Sequence, residues 1–233
     1  MASPDYVRRY FDGPYHALNF GDAAGLRRVL GRFFRRDECA IVRQAVRVLE
    51  PVAPRSVLDL GCGAGTLIAA LHAQSPLELA AGVDVSASAL TVARARLAGV
   101  ANVTLEHTSV QSCQSLARRF DAVVCIGMLD YVPFDGSLLQ RILAAAAGSV
   151  VITLPCERAG RQRLLRTLWL HANRVRLRSY REAEVARLCR ALGGTQWAFD
   201  IGCPPGLEDN IWVVGHRTSI PWAFGAGTSG GWR

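Results

Sequence analysis

The sequence predicts a doubly wound α/β fold: a seven-stranded, mostly parallel sheet with an antiparallel last strand, preceded by an N-terminal helical extension. Three observations predict it. From residue 56 onward, short apolar runs alternate with helix-period segments, the pattern of a parallel sheet covered by helices on both faces. Three alternating glycines, Gly61, Gly63 and Gly65, join the first apolar run to the first of those helices. Two late β-rich runs are separated by Pro204-Pro205-Gly206, which makes an antiparallel edge. The chain has 233 residues, 50% hydrophobic and 20% charged, which supports a sizeable core and excludes global disorder.

The elements follow in order. Residues 1–50 form the extension. An aromatic-rich entry segment holds Tyr6, Tyr10, Phe11, Tyr15, His16 and Phe20, broken at Gly13-Pro14. Asp22 caps a helix with Leu26, Val29, Leu30, Phe33 and Phe34 on one face. Asp37 caps a second, with Ile41, Val42, Ala45, Val46 and Leu49 inward and Pro51 at its end. The main domain runs from 51 to 218. Its expected strands are Ser56–Leu60, Leu79–Val83, Val103–His107, Asp121–Ile126 and Val150–Leu154, then Thr195–Ile201 and Ile211–His216. Helices are expected over Thr66–Ala73, from the cap Ser86 to Leu97 before Gly99, and over Tyr180–Leu192 before Gly193-Gly194. Residues 157–179 form an Arg-rich insertion and 219–233 a Gly-rich tail.

All 27 basic residues are Arg and the formal net charge is +8. Without lysine, a Schiff-base or P-loop lysine mechanism is excluded. The arginines cluster at Arg27–Arg36 and again from Arg158 to Arg181. Such clusters suit acidic ligands or nucleic acid, but also a solvated helix face, which is the preferred reading. The seven cysteines are widely spaced, with no C-x-x-C pair, so neither a zinc site nor a dithiol pair is expected. The uncharged apolar stretch Ile142–Cys156 contains Gly and Pro and falls short of the roughly 18 apolar residues of a span. Asp5, Arg8, Arg9 and Asp12 stand where a signal peptide needs its apolar region. A soluble cytoplasmic protein is expected.

The decisive segment is Asp59-Leu60-Gly61-Cys62-Gly63-Ala64-Gly65, where a buried strand enters a glycine loop and then a helix. Gly61 permits the turn, Gly63 lets a ligand approach the backbone, and Gly65 allows close passage at the helix start. Asp84 ends the next strand, where an acid accepts both ribose hydroxyls of an adenosine. A dinucleotide fold would need its third glycine at position 66, which is Thr.

The spacing instead resembles motif I of the class I S-adenosyl-L-methionine-dependent methyltransferases, a hydrophobic strand followed by D-x-G-x-G-x-G, and the element order resembles that Rossmann-like family over residues 55–217. The resemblance implies S-adenosyl-L-methionine as cofactor, with Asp84 on the ribose and Val85 packed on the adenine. It further implies cofactor contacts from Asp59, Gly61, Cys62, Gly63, Gly65 and Ile126. Tyr10 and Tyr15 are placed to close over it. The family commonly carries a Gly-Asp pair after the third strand, its acid on the adenine amino group. Here Thr108-Ser109-Val110-Gln111 stands instead, leaving Ser109, Gln111 or the backbone of Val110 for that contact. The fourth strand and Ile126-Gly127-Met128-Leu129 lack the N/D-P-P-Y of amino methyltransferases acting on DNA bases.

What remains is the group acting on small molecules, at an O, N, S or C atom. A base is needed only when the acceptor is protonated. The candidates are Asp130 and Tyr131 after strand four, and His16 in the entry segment. A helix cap or turn explains Asp130 equally well, and a solvated imidazole is the plainer reading of His16. An aromatic at 131 could flank the sulfonium or the acceptor. The expected partner is a small molecule, acidic if the Arg-rich insertion faces the pocket; a membrane and nucleic acid are not expected, and the protein is a monomer or homodimer. Two alternatives stay open: an RNA-modifying methyltransferase, and a non-catalytic cofactor-binding partner of another enzyme.

Overall fold

The computed structural model describes residues 9–15, 39–157 and 178–220. Seven strands form one sheet: β1 (Ser56–Leu60), β2 (Leu79–Asp84), β3 (Val103–His107), β4 (Phe120–Cys125), β5 (Ala146–Pro155), β6 (Trp197–Gly202) and β7 (Asn210–Arg217). Their order is β3-β2-β1-β4-β5-β7-β6. The first five pair in parallel, and β7 is antiparallel to both β5 and β6. The last strand therefore slots between its predecessor and β5. Strand order reverses between β1 and β4, so a crevice opens there at the carboxyl ends.

Helix α1 covers residues 39–49. It is followed by α2 (Thr66–Gln74), α3 (Ala87–Arg96), α4 (Gly136–Ala145) and α5 (Glu182–Gly193). Alternation along the strands divides the core in two. Val57, Ala122, Val124 and Val151 pack with α1 residues Val42, Val46 and Leu49 and α2 residues Leu67, Ile68 and Leu71. Leu58, Leu60, Val123, Cys125 and Ile152 pack with Leu139 and Ile142 of α4 and Val185 and Cys189 of α5. Asp59 falls between Leu58 and Leu60, on the α1–α2 side of β1.

Caps and a clasp set the element positions. Ser86 Oγ accepts from Ala89 N at 3.1 Å to open α3. Asp135 Oδ1 accepts from Leu138 N at 2.9 Å to open α4. At the amino ends of the sheet, Asp121 Oδ2 accepts from Arg55 N and Ser56 N at 3.0 and 2.8 Å, and Asp121 N donates back to Ser56 Oγ at 2.8 Å. This reciprocal clasp sets the register of β1 against β4.

Three elements depart from expectation, the first being β5, which begins at Ala146, four residues before its expected start. α4 stands in a region assigned no helix, and it runs into β5 with no intervening loop. Tyr180 does not begin α5. It bridges in parallel to Cys156, its N–H donating to Pro155 O at 2.9 Å, so α5 starts at Glu182. The helix expected after Asp22 lies outside the described residues, as do His16 and residues 158–177 and 221–233. Among the described residues no helix is long and apolar enough to cross a membrane.

Candidate active site

The glycine loop is hung from β2. Gly61 N and Cys62 N both donate to Val83 O, at 2.8 and 3.0 Å, and Gly65 N turns back to Cys62 O at 2.8 Å. Gly61, Gly63 and Gly65 all adopt positive φ, at 79°, 50° and 72°, which glycine tolerates best. Their surroundings differ. A Cβ at Gly61 would stand 2.9 Å from Met128 Cβ, and one at Gly65 would stand 2.9 Å from Leu97 Cδ1. A Cβ at Gly63 would meet nothing within 4 Å among the described residues. The first and third glycines therefore serve packing, while the middle one borders open space. Cys62 is buried, with its sulfur over Gly82, where a Cβ would lie 2.8 Å away. Burial, with Asp59 and Asp84 adding, pushes its thiol pKa far up, so it is inert packing rather than a nucleophile.

Asp84 and Asp59 supply the charge. Asp84 Oδ2 accepts from Gly63 N and Oδ1 from Ser86 N, both at 2.8 Å. These bonds leave acceptor capacity on the carboxylate, which suits adjacent hydroxyls. Burial raises the Asp84 pKa, the Ser86, Gly63 and Val85 N–H groups hold it back, and Asp12 raises it further. Asp59 is 2% exposed, and its Oδ1 is buried with no hydrogen-bond partner among the described residues. Desolvation first, and the Asp84 charge second, push its pKa up to about 7. A buried carboxylate oxygen left unpaired is costly unless a donor or cation arrives.

Beyond β2, Val85 is half-buried and its carbonyl lies 3.1 Å from His107 Nε2. After β3, Val110 is buried and Ser109 half-buried, its Oγ 3.4 Å from Ser112 Oγ. Ile126 is half-buried, packed against the α1–α2 side of the core at the end of β4. The next residue, Gly127, has φ 71° and donates to Thr153 Oγ1 at 3.1 Å.

The entry segment lies across this crevice. Residues Phe11–Tyr15 form a single π-helical turn. Asp12 Oδ1 accepts from Ser86 Oγ at 2.7 Å and from Ser88 N and Oγ at 3.2 and 3.0 Å. Tyr10 is 5% exposed. The Phe11 and Tyr131 rings meet edge to face at 4.9 Å, with Tyr10 at 5.3 Å from Phe11 and 6.3 Å from Tyr131. The segment is therefore tied on one side to the start of α3 and on the other to the loop after β4. Tyr15 ends the turn.

Asp130 is buried, at 3% exposure, with its carbonyl accepting from Arg178 N at 3.0 Å. Tyr180 braces the same loop: its Oη accepts from Phe134 N at 2.9 Å and donates to Val132 O at 3.4 Å. Burial raises the Tyr180 pKa, countered by the Phe134 N–H and Arg178 and reinforced by Asp130 and Asp135. Among the described residues, no cluster of His, Cys, Asp and Glu could hold a metal ion.

Sequence reasoning missed several supports. Arg96 Nη1 donates to Ala64 O and Thr66 Oγ1 at 2.6 and 2.7 Å, bracing the glycine loop from α3. Arg141, Asp12, Ser88 and Thr153 likewise act on loops distant in sequence, and no local pattern marks them.

The residues fit S-adenosyl-L-methionine: an orphaned buried oxygen at Asp59 for a cation, open space at Gly63 for close backbone approach, and spare lone pairs on Asp84 for a ribose. Comparison with known proteins agrees. Residues 32–196 match the family described as "Methyltransferase domain". The trans-aconitate 2-methyltransferase of Methylobacterium nodulans is 28% identical over 75% of this chain and 69% of its own. The ubiquinone biosynthesis O-methyltransferase of Paracidovorax citrulli is 34% identical, but over only 40% of this chain and 39% of its own length. Magnesium protoporphyrin IX methyltransferase from Synechocystis PCC 6803 shares the fold at TM-score 0.70 and 17% identity, covering 93% of this chain and 100% of that one. The plantazolicin methyltransferase BpumL does so at TM-score 0.62 and 14% identity, covering 91% and 96%. With motif I intact and the sheet order it requires in place, the chain belongs to the methyltransferase-domain family, as a class I S-adenosyl-L-methionine-dependent member.

Proposed function

We propose that the protein methylates an O, N, S or C atom of a small metabolite. The observation that carries this reading is the Asp84 carboxylate, held by two backbone N–H groups beside the open face of Gly63. Bound S-adenosyl-L-methionine supplies a methyl group already activated on a sulfonium. The chain's own task is then chiefly alignment, which is worth up to about 7–11 kcal/mol in well-oriented systems. Gly63 and Asp84 seat the nucleoside, Asp59 faces the cationic end, and the Tyr10–Phe11–Tyr131 rings screen the crevice from water. Tyr131 lines the acceptor's approach, and Asp130, buried beside it, is the candidate to steady a protonated acceptor. The acceptor is proposed to be acidic, on the strength of the +8 charge and the arginines of 157–179. The cytoplasm is the proposed compartment, and a monomer or homodimer the proposed state.

The test is calorimetric titration with S-adenosyl-L-methionine, with NAD as control and Asp84→Ala beside wild type. It is followed by transfer of labelled methyl to a panel of carboxylic acids, trans-aconitate among them, and uncharged phenols. Two charge-assisted hydrogen bonds are worth about 1.5–3 kcal/mol each, so D84A should bind at least ~100-fold more weakly. Wild-type binding of NAD alone, or of neither ligand, overturns the reading; labelling of phenols but no acid overturns the acidic acceptor.

A further inference from the structure

We infer that Arg141 is a positioning residue for the adenine end of the cofactor, shaping the loop after β3 so that backbone replaces the acid missing there. The inference rests on the cofactor reading above. After β3 the chain reads Thr108-Ser109-Val110-Gln111-Ser112-Cys113, with no carboxylate in the loop. Arg141 projects from α4, half-buried, and its guanidinium gathers three carbonyls of that loop. Nη1 donates to Val110 O at 3.2 Å and Gln111 O at 3.0 Å, and Nη2 to Cys113 O at 3.4 Å. From the other side, the Glu106 carboxylate on β3 accepts from Gln114 N at 2.9 Å, from Ser115 N at 2.8 Å and from the Ser115 hydroxyl.

The peptide unit between Cys113 and Gln114 is thus gripped at both ends, its C=O by Arg141 and its N–H by Glu106. In a trans peptide those two groups point in opposite directions, so Arg141 and Glu106 act from opposite sides of the loop. The same rule applies one turn earlier. With Val110 C=O drawn to α4, the Gln111 N–H is turned away from it, while the Ser112 N–H closes the turn on Ser109 O at 3.0 Å. The direction of the Gln111 N–H donor is therefore dictated by a side chain on another helix. Thr108 N donates to Asp84 O at 3.0 Å, which joins this loop to the ribose acid. A fork of fixed N–H donors can hold several carbonyls at once; an ammonium has no such geometry.

The test uses the full chain with S-adenosylhomocysteine and 5′-methylthioadenosine, comparing wild type, R141A and R141K by calorimetry. Hydrogen exchange of amides 109–115 is followed without ligand. In R141A both ligands should bind about tenfold more weakly, and exchange at 109–115 should quicken. The rate at saturating cofactor should be unchanged, and added methylguanidinium should restore affinity. R141K, which keeps the charge and loses the fork, should recover only part, and it carries the test if R141A fails to fold. Unchanged ligand affinity in both variants, or a fall in turnover at saturating cofactor with affinity intact, overturns the inference. Failure of wild type to bind either ligand overturns the cofactor reading instead.

Discussion

The two corners of the crevice are built on different principles. At the β1–β2 corner the groups proposed to meet ligand are backbone and buried carboxylates: Gly63 in a loop of three glycines at positive φ, Asp84 held by two N–H groups, and Asp59 with an orphaned oxygen. At the β4–β5 corner they are aromatic rings, Tyr131 with Phe11 and Tyr10, on a loop tied down by Tyr180 and by Arg178 N. On the proposed reading, the first corner recognises by backbone geometry that few sequences can adopt. The second depends on packing between segments far apart in the chain. A common cofactor calls for the first kind of site, and a variable acceptor for the second.

The largest expected effect separates the glycines of the first corner. Gly65→Val places side-chain atoms against Leu97 and Ala93 at φ 72°, and strain plus overpacking should cost at least about 3 kcal/mol of stability, read by denaturant unfolding. Gly63→Ala faces open space at φ 50° and should cost only about 1–2 kcal/mol, yet abolish binding of S-adenosylhomocysteine. Equal stability losses with binding retained in G63A would erase the distinction between packing glycine and ligand glycine.

A second effect concerns the two carboxylates. The folded pKa of Asp59, about 7, lies above its ordinary value of 3.8. The folded state therefore holds the proton more tightly, and stability should fall as pH rises from about 4 through 7, then level off. Asp84, also raised, contributes in the same direction. The span for Asp59 amounts to about 4 kcal/mol at most, and Asp59→Asn should flatten the slope and stabilise the protein at pH 8. A cationic ligand prefers the carboxylate, so cofactor affinity should rise across the same window. A slope unaltered in D59N would place the titration elsewhere.

The smallest effect belongs to the second corner. Tyr180→Phe removes the hydroxyl between Phe134 N and Val132 O, which should cost about 1 kcal/mol, or about 2–4 °C in Tm. Cofactor affinity should stay unchanged while KM for the acceptor rises. A weaker cofactor Kd in Y180F would show that the corners are not independent.

The same contrast decides what could be read from sequence. Asp59 to Gly65 and Asp84 were legible because strand, glycine turn and acid are contiguous, and each residue type has a local reason. Ser56–Leu60 and Val103–His107 match their expected bounds because a clear polar or glycine boundary flanks each. Helix α4 was hidden because Leu138, Leu139, Ile142 and Leu143 pass into β5 without any turn residue, so one apolar run conceals two elements. Tyr180 read as the start of a helix because nothing nearby reveals its bridge to Cys156. Asp12, Arg96 and Arg141 act across 30 or more residues; no spacing rule covers contacts at such range.

The clasp between Ser56 and Asp121 has a consequence for engineering. It lies at the amino ends of β1 and β4 and fixes their relative height there. Each strand then delivers its terminal residue to the rim at a level determined from the floor. A segment grafted after β4 inherits that level without having to encode it. Acceptor loops exchanged beyond Tyr131 should therefore keep their height over the donor half, provided that Met128 against Gly61 and Tyr131 against Phe11 are retained.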